Sequence, residues 1–275
     1  MTPPRLHVAL VSEVFFDDPD GETLRGTLAE AKSRGADVAV LPELPLNGWA
    51  PASKDARDDD AEGPEGPRQR TMSEAAATVG IALVGGAIVR DPETGRRHNT
   101  AFVYNADGTE AISYRKIHLP EEEGYWETSH YEPGGAAPEI LRGLGLDIGL
   151  QVCSDVNRPQ GFQLLAAGGA EVVFAPRATP PATYSRWRMI LRANAVMSGA
   201  YVISVNRPRP ERGASIGGPS IAIDPFGEVL LETTDPIRLV DLDRAVVEAA
   251  GAEYPGYLKR FPAVYSEGWS RLTRP

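Results

Sequence analysis

Leu6-His-Val-Ala-Leu-Val11 and Val38-Ala-Val-Leu41, with Glu22–Lys32 between them, decide the fold class. Both short runs are apolar and rich in β-branched residues, as strands covered on both faces are, and the intervening segment puts Leu24, Leu28 and Ala31 on one helical face. Strand, helix, strand in that order is a βαβ unit, the mark of a parallel sheet. The alternation continues outward. Arg68–Val79 reads as a helix entered after Gly-Pro pairs, and Ile81–Val89, Thr100–Asn105 and Ile112–Arg115 read as strands broken by Pro92, Gly95 and Asn105-Ala-Asp-Gly108. Leu146–Val152 and Glu171–Ala175 flank a helix near Pro159–Ala167. A helix over Tyr184–Met197, with Trp187, Ile190, Leu191, Asn194 and Met197 on one stripe, leads to a strand at Tyr201–Val205. Ser220–Ile223, Val229–Glu232 and Arg238–Asp241 read as a late hairpin series turning at Asp224-Pro-Phe-Gly227. About ten or eleven strands and five helices, with no sequence repeat and no long linker, predict one α/β domain over residues 1–275.

Two segments stand apart. Pro51–Pro67, rich in Asp, Glu and Gly, reads as a solvated loop. The tail 251–275 carries Tyr254, Tyr257, Phe261, Tyr265 and Trp269, too aromatic for a free solvent arm, so it is expected to dock, with a second subunit as one candidate surface.

Composition narrows the function. The 28 basic residues against 38 acidic ones give a net charge of −10 without a dense basic run, which argues against nucleic acid as a partner. No stretch reaches the ~20 apolar residues of a membrane span, and Met1–Arg5 run directly into a strand without a signal-type apolar region. The single cysteine excludes an internal disulfide and a four-thiolate zinc site, and no His-X-His or His-Glu-X-X-His spacing occurs, so no metal or other cofactor is expected. A reducing, cytoplasmic setting follows from the same count.

Chemistry concentrates at strand ends. Cys153 follows Leu146-Asp-Ile-Gly-Leu-Gln-Val152 where the chain turns toward a helix, a position that suits a nucleophile and equally a small buried core thiol. Glu43 closes Asp37-Val-Ala-Val-Leu-Pro, and Lys116 closes Ile112-Ser-Tyr-Arg. In parallel sheets these ends collect ligand-binding groups, because the following loops cluster there.

Leu41-Pro-Glu-Leu44, Tyr114-Arg-Lys-Ile-His-Leu-Pro120 and Gln151-Val-Cys-Ser-Asp155 resemble, in order, the three signature segments of the nitrilase or carbon–nitrogen hydrolase superfamily. Tyr131-Glu-Pro-Gly134, Arg192-Ala-Asn-Ala195, Tyr201-Val202 and Val205-Asn-Arg207 agree with it, and the likeness runs from about Arg5 to about Asp243. The resemblance implies Glu43 as general base, Lys116 as oxyanion-stabilising cation, Cys153 as nucleophile and Glu127 as second glutamate, with Glu121, Glu122 and Glu123 as rivals for that last place. It implies a four-layer α-β-β-α sandwich of two stacked mixed sheets flanked by helices. A homodimer or higher homo-oligomer, with the tail at the interface, is also implied.

Cys153-Ser154-Asp155 resembles the Cys-X-Asp of amidase and carbamoylase branches rather than the Cys-Trp-Glu of nitrile-hydrolysing members. The expected reaction is therefore hydrolysis of an amide or N-carbamoyl C–N bond of a small molecule through a Cys153 thioester. Gln160 and Met197-Ser198 depart from the family pattern. Tyr125, Trp126 and Ser154 are candidate pocket residues, and Arg158 and Arg177 are candidate clamps for a substrate carboxylate, with ion pairing as the alternative for each. Competing readings are nitrile hydrolysis, a thiol hydrolase pairing Cys153 with His118 or His130, and a silent binding protein on the same scaffold.

Overall fold

The computed structural model describes residues 4–272; the last three residues of the tail fall outside it. Fourteen strands and six helices run in the order β1 (Arg5–Val11), α1 (Glu22–Ser33), β2 (Val38–Val40), α2 (Pro67–Val79), β3 (Ala82–Arg90), β4 (Arg97–Tyr104), β5 (Glu110–Arg115), β6 (Glu121–Glu122), β7 (Tyr125–Trp126), β8 (Ile140–Leu144), β9 (Leu146–Leu150), α3 (Pro159–Gly168), β10 (Val172–Phe174), α4 (Tyr184–Ser198), β11 (Tyr201–Ser204), β12 (Ser220–Ile223), β13 (Val229–Thr233), β14 (Ile237–Asp243), α5 (Arg244–Ala252) and α6 (Pro262–Leu272). One six-stranded sheet has the order β14-β1-β2-β3-β4-β5, and the other β13-β12-β11-β10-β9-β8. In each, three central strands are parallel and the outer ones antiparallel, so both sheets are mixed.

Side-chain alternation along the strands makes the layers. Val8, Leu10, Val38 and Val40 of the first sheet pack against Ile148, Leu150, Val172 and Phe174 of the second. Their sequence neighbours Ala9, Val11, Ala39 and Leu41 point the other way, onto Leu24 and Leu28 of α1 and Met72 and Ala76 of α2. On the second sheet Val173, Val202 and Ile221 meet Phe162 and Leu165 of α3 and Leu191 and Ala195 of α4. Strands covered on both faces read as unbroken apolar runs, which is why they were visible in the sequence. The result is the expected α-β-β-α sandwich.

Some expectations change. β6, β7 and β8 had no counterpart in the sequence reading, nor did α5 and α6. Pro51–Pro67 is not a plain solvated loop, for Asp60 and Glu62 within it are buried. Glu62 pairs as a bridge beside Val89, and its carboxylate accepts the N–H groups of Arg68 and Gln69 at 2.9 and 3.0 Å. It thus satisfies donors that the first turn of α2 would otherwise leave unpaired. On α4 the buried stripe is Leu191, Asn194, Ala195 and Ser198, while Met197 faces outward. Among the described residues of the tail, Tyr254, Tyr257, Phe261 and Tyr265 are exposed, and no residue of α6 is buried. Among the described residues no helix is long and apolar enough to cross a membrane.

Candidate active site

Glu43 lies three residues past β2 in a buried segment whose carbonyls have left the sheet and need donors. Arg207 supplies them. Its Nη1 donates to Glu43 O and Leu44 O, each at 2.8 Å, and its Nη2 to Asn47 O at 2.9 Å. Glu211 balances this fully buried cation, accepting from Nε at 2.9 Å and Nη2 at 2.7 Å. The Glu43 backbone is therefore pinned from a strand end on the other sheet. Its Oε1 accepts from Lys116 Nζ and from Asn99 Nδ2, both at 2.8 Å, while buried Oε2 has no partner among the described residues.

Lys116 follows β5, held by its N–H to Asn99 O at 2.9 Å and by the Gly134 N–H to its own carbonyl at 2.8 Å. A Cβ on Gly134 would stand 2.3 Å from Arg115 O, so this close approach needs glycine. Glu127 begins a short 3-10 turn after the β6–β7 hairpin, and its Oε1 accepts from Lys116 Nζ at 2.6 Å. Both carboxylates and the ammonium between them have no solvent exposure. Burial alone would lower the Lys116 pKa, but the Glu127 and Glu43 charges outweigh it and hold the group well above its usual value. Burial pushes the Glu127 pKa up to about 8, the Glu43 charge adding to this and Lys116 opposing it. The ammonium placed between the two carboxyl groups offsets much of the cost of burying them.

Cys153 follows β9 and opens a 3-10 turn, Cys153–Asn157. Its N–H donates to Pro176 O at 2.9 Å, and its φ of 46° is left-handed, a conformation that costs a non-glycine residue on the order of 1–3 kcal/mol. Sγ lies 3.8 Å from Ala178 O. Burial raises the thiol pKa well above its ordinary value, and the nearby Glu43 charge adds to that while Lys116 opposes it. The strain is held by Asp155, fully buried, whose carboxylate accepts from Tyr114 Oη at 2.9 Å, His118 N at 2.9 Å, Ile117 N at 3.2 Å and Val152 N at 3.3 Å. One carboxylate thereby ties the residues after Lys116 to the cysteine turn.

The histidines are engaged elsewhere. His118 Nδ1 lies 2.8 Å from Asp155 Oδ1, and His130 Nε2 lies 2.7 Å from Ser53 O. Neither is bonded to Sγ, so the geometry offers no Cys–His pair.

A cleft of about 660 Å³ opens over Cys153, with Tyr125, Ser154 and Arg158 in its lining. Tyr125 donates through its hydroxyl to Ser215 O at 2.9 Å and meets Trp49 edge-on at 5.8 Å. Trp126 lies outside the lining, with the Lys54 ammonium 4.1 Å above its ring. Arg177 is not an available clamp. Its guanidinium is buried and donates to Ser204 Oγ, Thr179 Oγ1 and Pro219 O, so all three nitrogens are used within the protein, and burial lowers its pKa to about 10. Glu121 and Glu122 line the outer cleft and are exposed, far less suited than Glu127 to a buried partnership with Lys116. Asn194 Nδ2 caps the carbonyl of Val156 at 2.8 Å, the structural role its place on a buried stripe suggests.

Asn99, Asp155, Arg207 as a clamp, and Arg186 in the cleft wall were not read from the sequence. Asn99 had a signal, a polar residue within β4 just ahead of its apolar run; the others depend on partners distant along the chain.

Comparison with known proteins agrees with this geometry. The family profile described as carbon–nitrogen hydrolase matches residues 17–252. An omega-amidase, NIT2, of Danio rerio is 29% identical over 249 residues, covering 86% of this chain and 87% of the relative. An (R)-stereoselective amidase of a Pseudomonas species is 32% identical, covering 81% and 78%. Among solved structures, a variant of an amidase from a Nesterenkonia species superposes with a TM-score of 0.77 at 26% identity, covering 98% of this chain and 97% of that one. It carries the acetamide moiety of fluoroacetamide covalently added at its active-site cysteine.

Proposed function

The chain belongs to the carbon–nitrogen hydrolase family, and on that premise we propose that it hydrolyses the C–N bond of a small linear amide through a thioester on Cys153. The observation that carries this reading is the buried Glu43–Lys116–Glu127 chain of 2.8 and 2.6 Å contacts beside a strained thiol that lines the cleft.

Glu43 Oε2 takes the thiol proton as Sγ bonds to the amide carbon, since a thiol with a raised pKa needs its base in the same step. The carbonyl oxygen gains the negative charge against the Lys116 ammonium and the Ser154 N–H, and a preorganised donor of this kind contributes roughly 3 kcal/mol. As the C–N bond breaks, Glu43 returns the proton to the nitrogen and ammonia leaves. Glu43 then deprotonates a water that attacks the thioester, and collapse expels the sulfur, which recovers its proton. Glu127 holds Lys116 from the far side and keeps Nζ aimed while Glu43 cycles.

Screening aliphatic amides, ω-amides, N-carbamoyl amino acids and N-carbamoyl amines for ammonia release tests the reading. A Cys153 adduct of acyl mass, trapped with a Glu127→Gln variant, supports it. Absence of ammonia from every compound defeats it. Replacing Glu43 with Gln is expected to lower kcat by at least about 10³-fold, whereas His118→Ala retains most activity; steady-state kinetics giving the reverse would restore the Cys–His reading.

The whole chain is proposed to act as one catalytic domain, in the cytoplasm, as a homodimer or higher homo-oligomer. A working thiol calls for a reducing compartment, and the exposed apolar side chains of the tail support an interface there. Ending the chain after Gly251 is expected to lower both dimer content and thermal stability. An unchanged elution volume on sizing would count against the interface.

A further inference from the structure

Arg177 and Arg207 are both buried, and the protein balances them differently. Arg207 is answered by the Glu211 carboxylate. Arg177 donates only to neutral acceptors, Ser204 Oγ at 3.0 Å, Thr179 Oγ1 at 2.5 Å and Pro219 O, and has no carboxylate in ion-pair contact among the described residues. The Tyr184 ring lies 5.6 Å from its Cζ. Glu232, whose charge also reaches it, is bonded to Arg188 at 2.8 Å. A buried cation without an anion is among the most costly groups a fold can hold, and such groups cluster at functional sites.

The backbone sets this cation behind the cysteine. Arg177 stands three residues past β10, its N–H donating to Val205 O at 2.8 Å and its carbonyl accepting from Arg207 N at 3.2 Å. The residues on either side of it touch Cys153: Pro176 O accepts its N–H at 2.9 Å, and Ala178 O lies 3.8 Å from Sγ. Thr179, which takes the Nη1 bond, lines the cleft. Burial lowers the Arg177 pKa, and negative charge on Tyr184 and Cys153 opposes that. Coulomb attraction is mutual, so the guanidinium in turn favours negative charge on the sulfur.

Other charges reach Sγ from several segments. Glu43 after β2 and Glu127 after β7 oppose its ionisation, while Lys116 after β5 favours it. Lys116 is already shared between those two carboxyl groups at 2.8 and 2.6 Å. Tyr125 on β7 faces the thiol as a phenol whose pKa is raised by burial. Asp155, in the cysteine's own turn, is held by its main-chain and Tyr114 donors and by His118. Arg158 and Arg186 line the cleft but are exposed, where solvent and salt screen them. Arg177 is the cation kept from water with no anion of its own.

We propose that Arg177 acts through the nucleophile, its buried and unpaired charge favouring the sulfur anion in both halves of the cycle. This rests on the amide-hydrolase reading and adds a group to its mechanism. In acylation the thiol proton passes to Glu43 as the Sγ–C bond forms and the carbonyl electron pair moves onto oxygen. In deacylation the C–S bond breaks and its electron pair returns to sulfur. The negative charge that develops on sulfur in both steps is the counter-charge the guanidinium lacks within the protein. An interaction stronger in the transition state than before it raises kcat rather than lowering KM.

The chain has one cysteine, so iodoacetamide addition reports on Cys153 alone. Arg177→Gln keeps a donor and loses the charge, whereas Arg177→Lys keeps the charge and loses the planar fork. Alkylation at pH 8 is expected to slow about 5- to 30-fold in the Gln variant, its rise with pH moving up by about one pH unit, and to stay within about 3-fold of the parent in the Lys variant. On whichever amide the protein turns over, kcat should fall over the same range in Arg177→Gln with KM changed by less than about 2-fold. Ser204→Asp leaves the arginine in place and gives its Nε a carboxylate partner, so it should slow alkylation as Arg177→Gln does. Equal losses in the Gln and Lys variants would overturn the proposal and leave Arg177 as an anchor of segment 176–179. Alkylation at the parent rate in Arg177→Gln or in Ser204→Asp would overturn it as well, with amide hydrolysis still standing. Hydrolysis of no amide by the parent would defeat the underlying reading instead, and the alkylation rates would still decide whether the charge of Arg177 acts on the thiol.

Discussion

Replacing Lys116 with methionine is expected to abolish hydrolysis and to destabilise the protein by about 3–5 kcal/mol, the penalty for removing one partner of a buried ion pair. Methionine fills much the same space, so the effect is electrostatic. Without the ammonium, Glu43 and Glu127 become two buried carboxylates with no cation between them. Glu127 fixes the sign of the pH dependence, because burial raises its pKa above that of the unfolded chain. A carboxyl whose folded pKa is raised contributes its stability fully below the unfolded value and loses it as pH climbs through the folded one. Glu127 already behaves this way with its pKa pushed up to about 8 against the opposing Lys116 charge, and removal of that charge enlarges the effect. The deficit in Tm relative to the parent should thus be smaller near pH 5 than near pH 8, where it reaches on the order of 10 °C. Differential scanning fluorimetry across that range checks it, and a deficit independent of pH would assign Lys116 a packing role only.

The Cys153→Ala protein should be inactive, with kcat/KM down at least about 10⁴-fold, and yet folded. Alanine keeps the left-handed backbone at this position and the Pro176 contact, both of which involve main chain only. It removes one sulfur from a position that is 3% exposed, a loss of packing worth about 1 kcal/mol, so Tm should move by only a few degrees. Loss of the adduct in intact-mass spectra should accompany loss of turnover. Residual hydrolysis above about 1% of the parent rate would place the nucleophile elsewhere.

Much of the architecture was legible because buried parallel strands leave unbroken β-branched runs, and Glu43, Lys116 and Cys153 were visible as polar residues ending such runs. Glu127 needed the family resemblance, since nothing in Gly124–His130 shows locally that one of four nearby glutamates turns inward. Asp155 was read only as a branch marker. Its four or more donors come from residues 114–118 and 152, and a network spanning some 40 positions has no local signature. Arg177 misled for a related reason: a cation at a strand end suits a ligand equally well as it suits Ser204, Thr179 and Pro219, and only the tertiary neighbours decide. Arg186 was hidden because the stripe on α4 was set one step off its buried face. β8 was missed because Arg142-Gly143 interrupts an otherwise apolar pattern.

Each sheet is built around the same succession, three parallel strands joined by two helices and then two antiparallel strands; the sixth strand is β14, from beyond the second sheet's strands, in the first sheet and β8, the hairpin partner just before β9, in the second. Glu43, Lys116 and Asn99 belong to the first half, Cys153 to the second, with Arg207 reaching back across from the second to grip the first. On the proposed roles neither half is complete alone: one would hold the base and the cation without a nucleophile, the other the thiol without a base. On that proposal, catalytic competence is a property of the seam between the sheets. Any perturbation that slides one sheet over the other by a fraction of a strand spacing will silence turnover while leaving secondary structure intact, so activity is the more sensitive gauge of how the sandwich is closed.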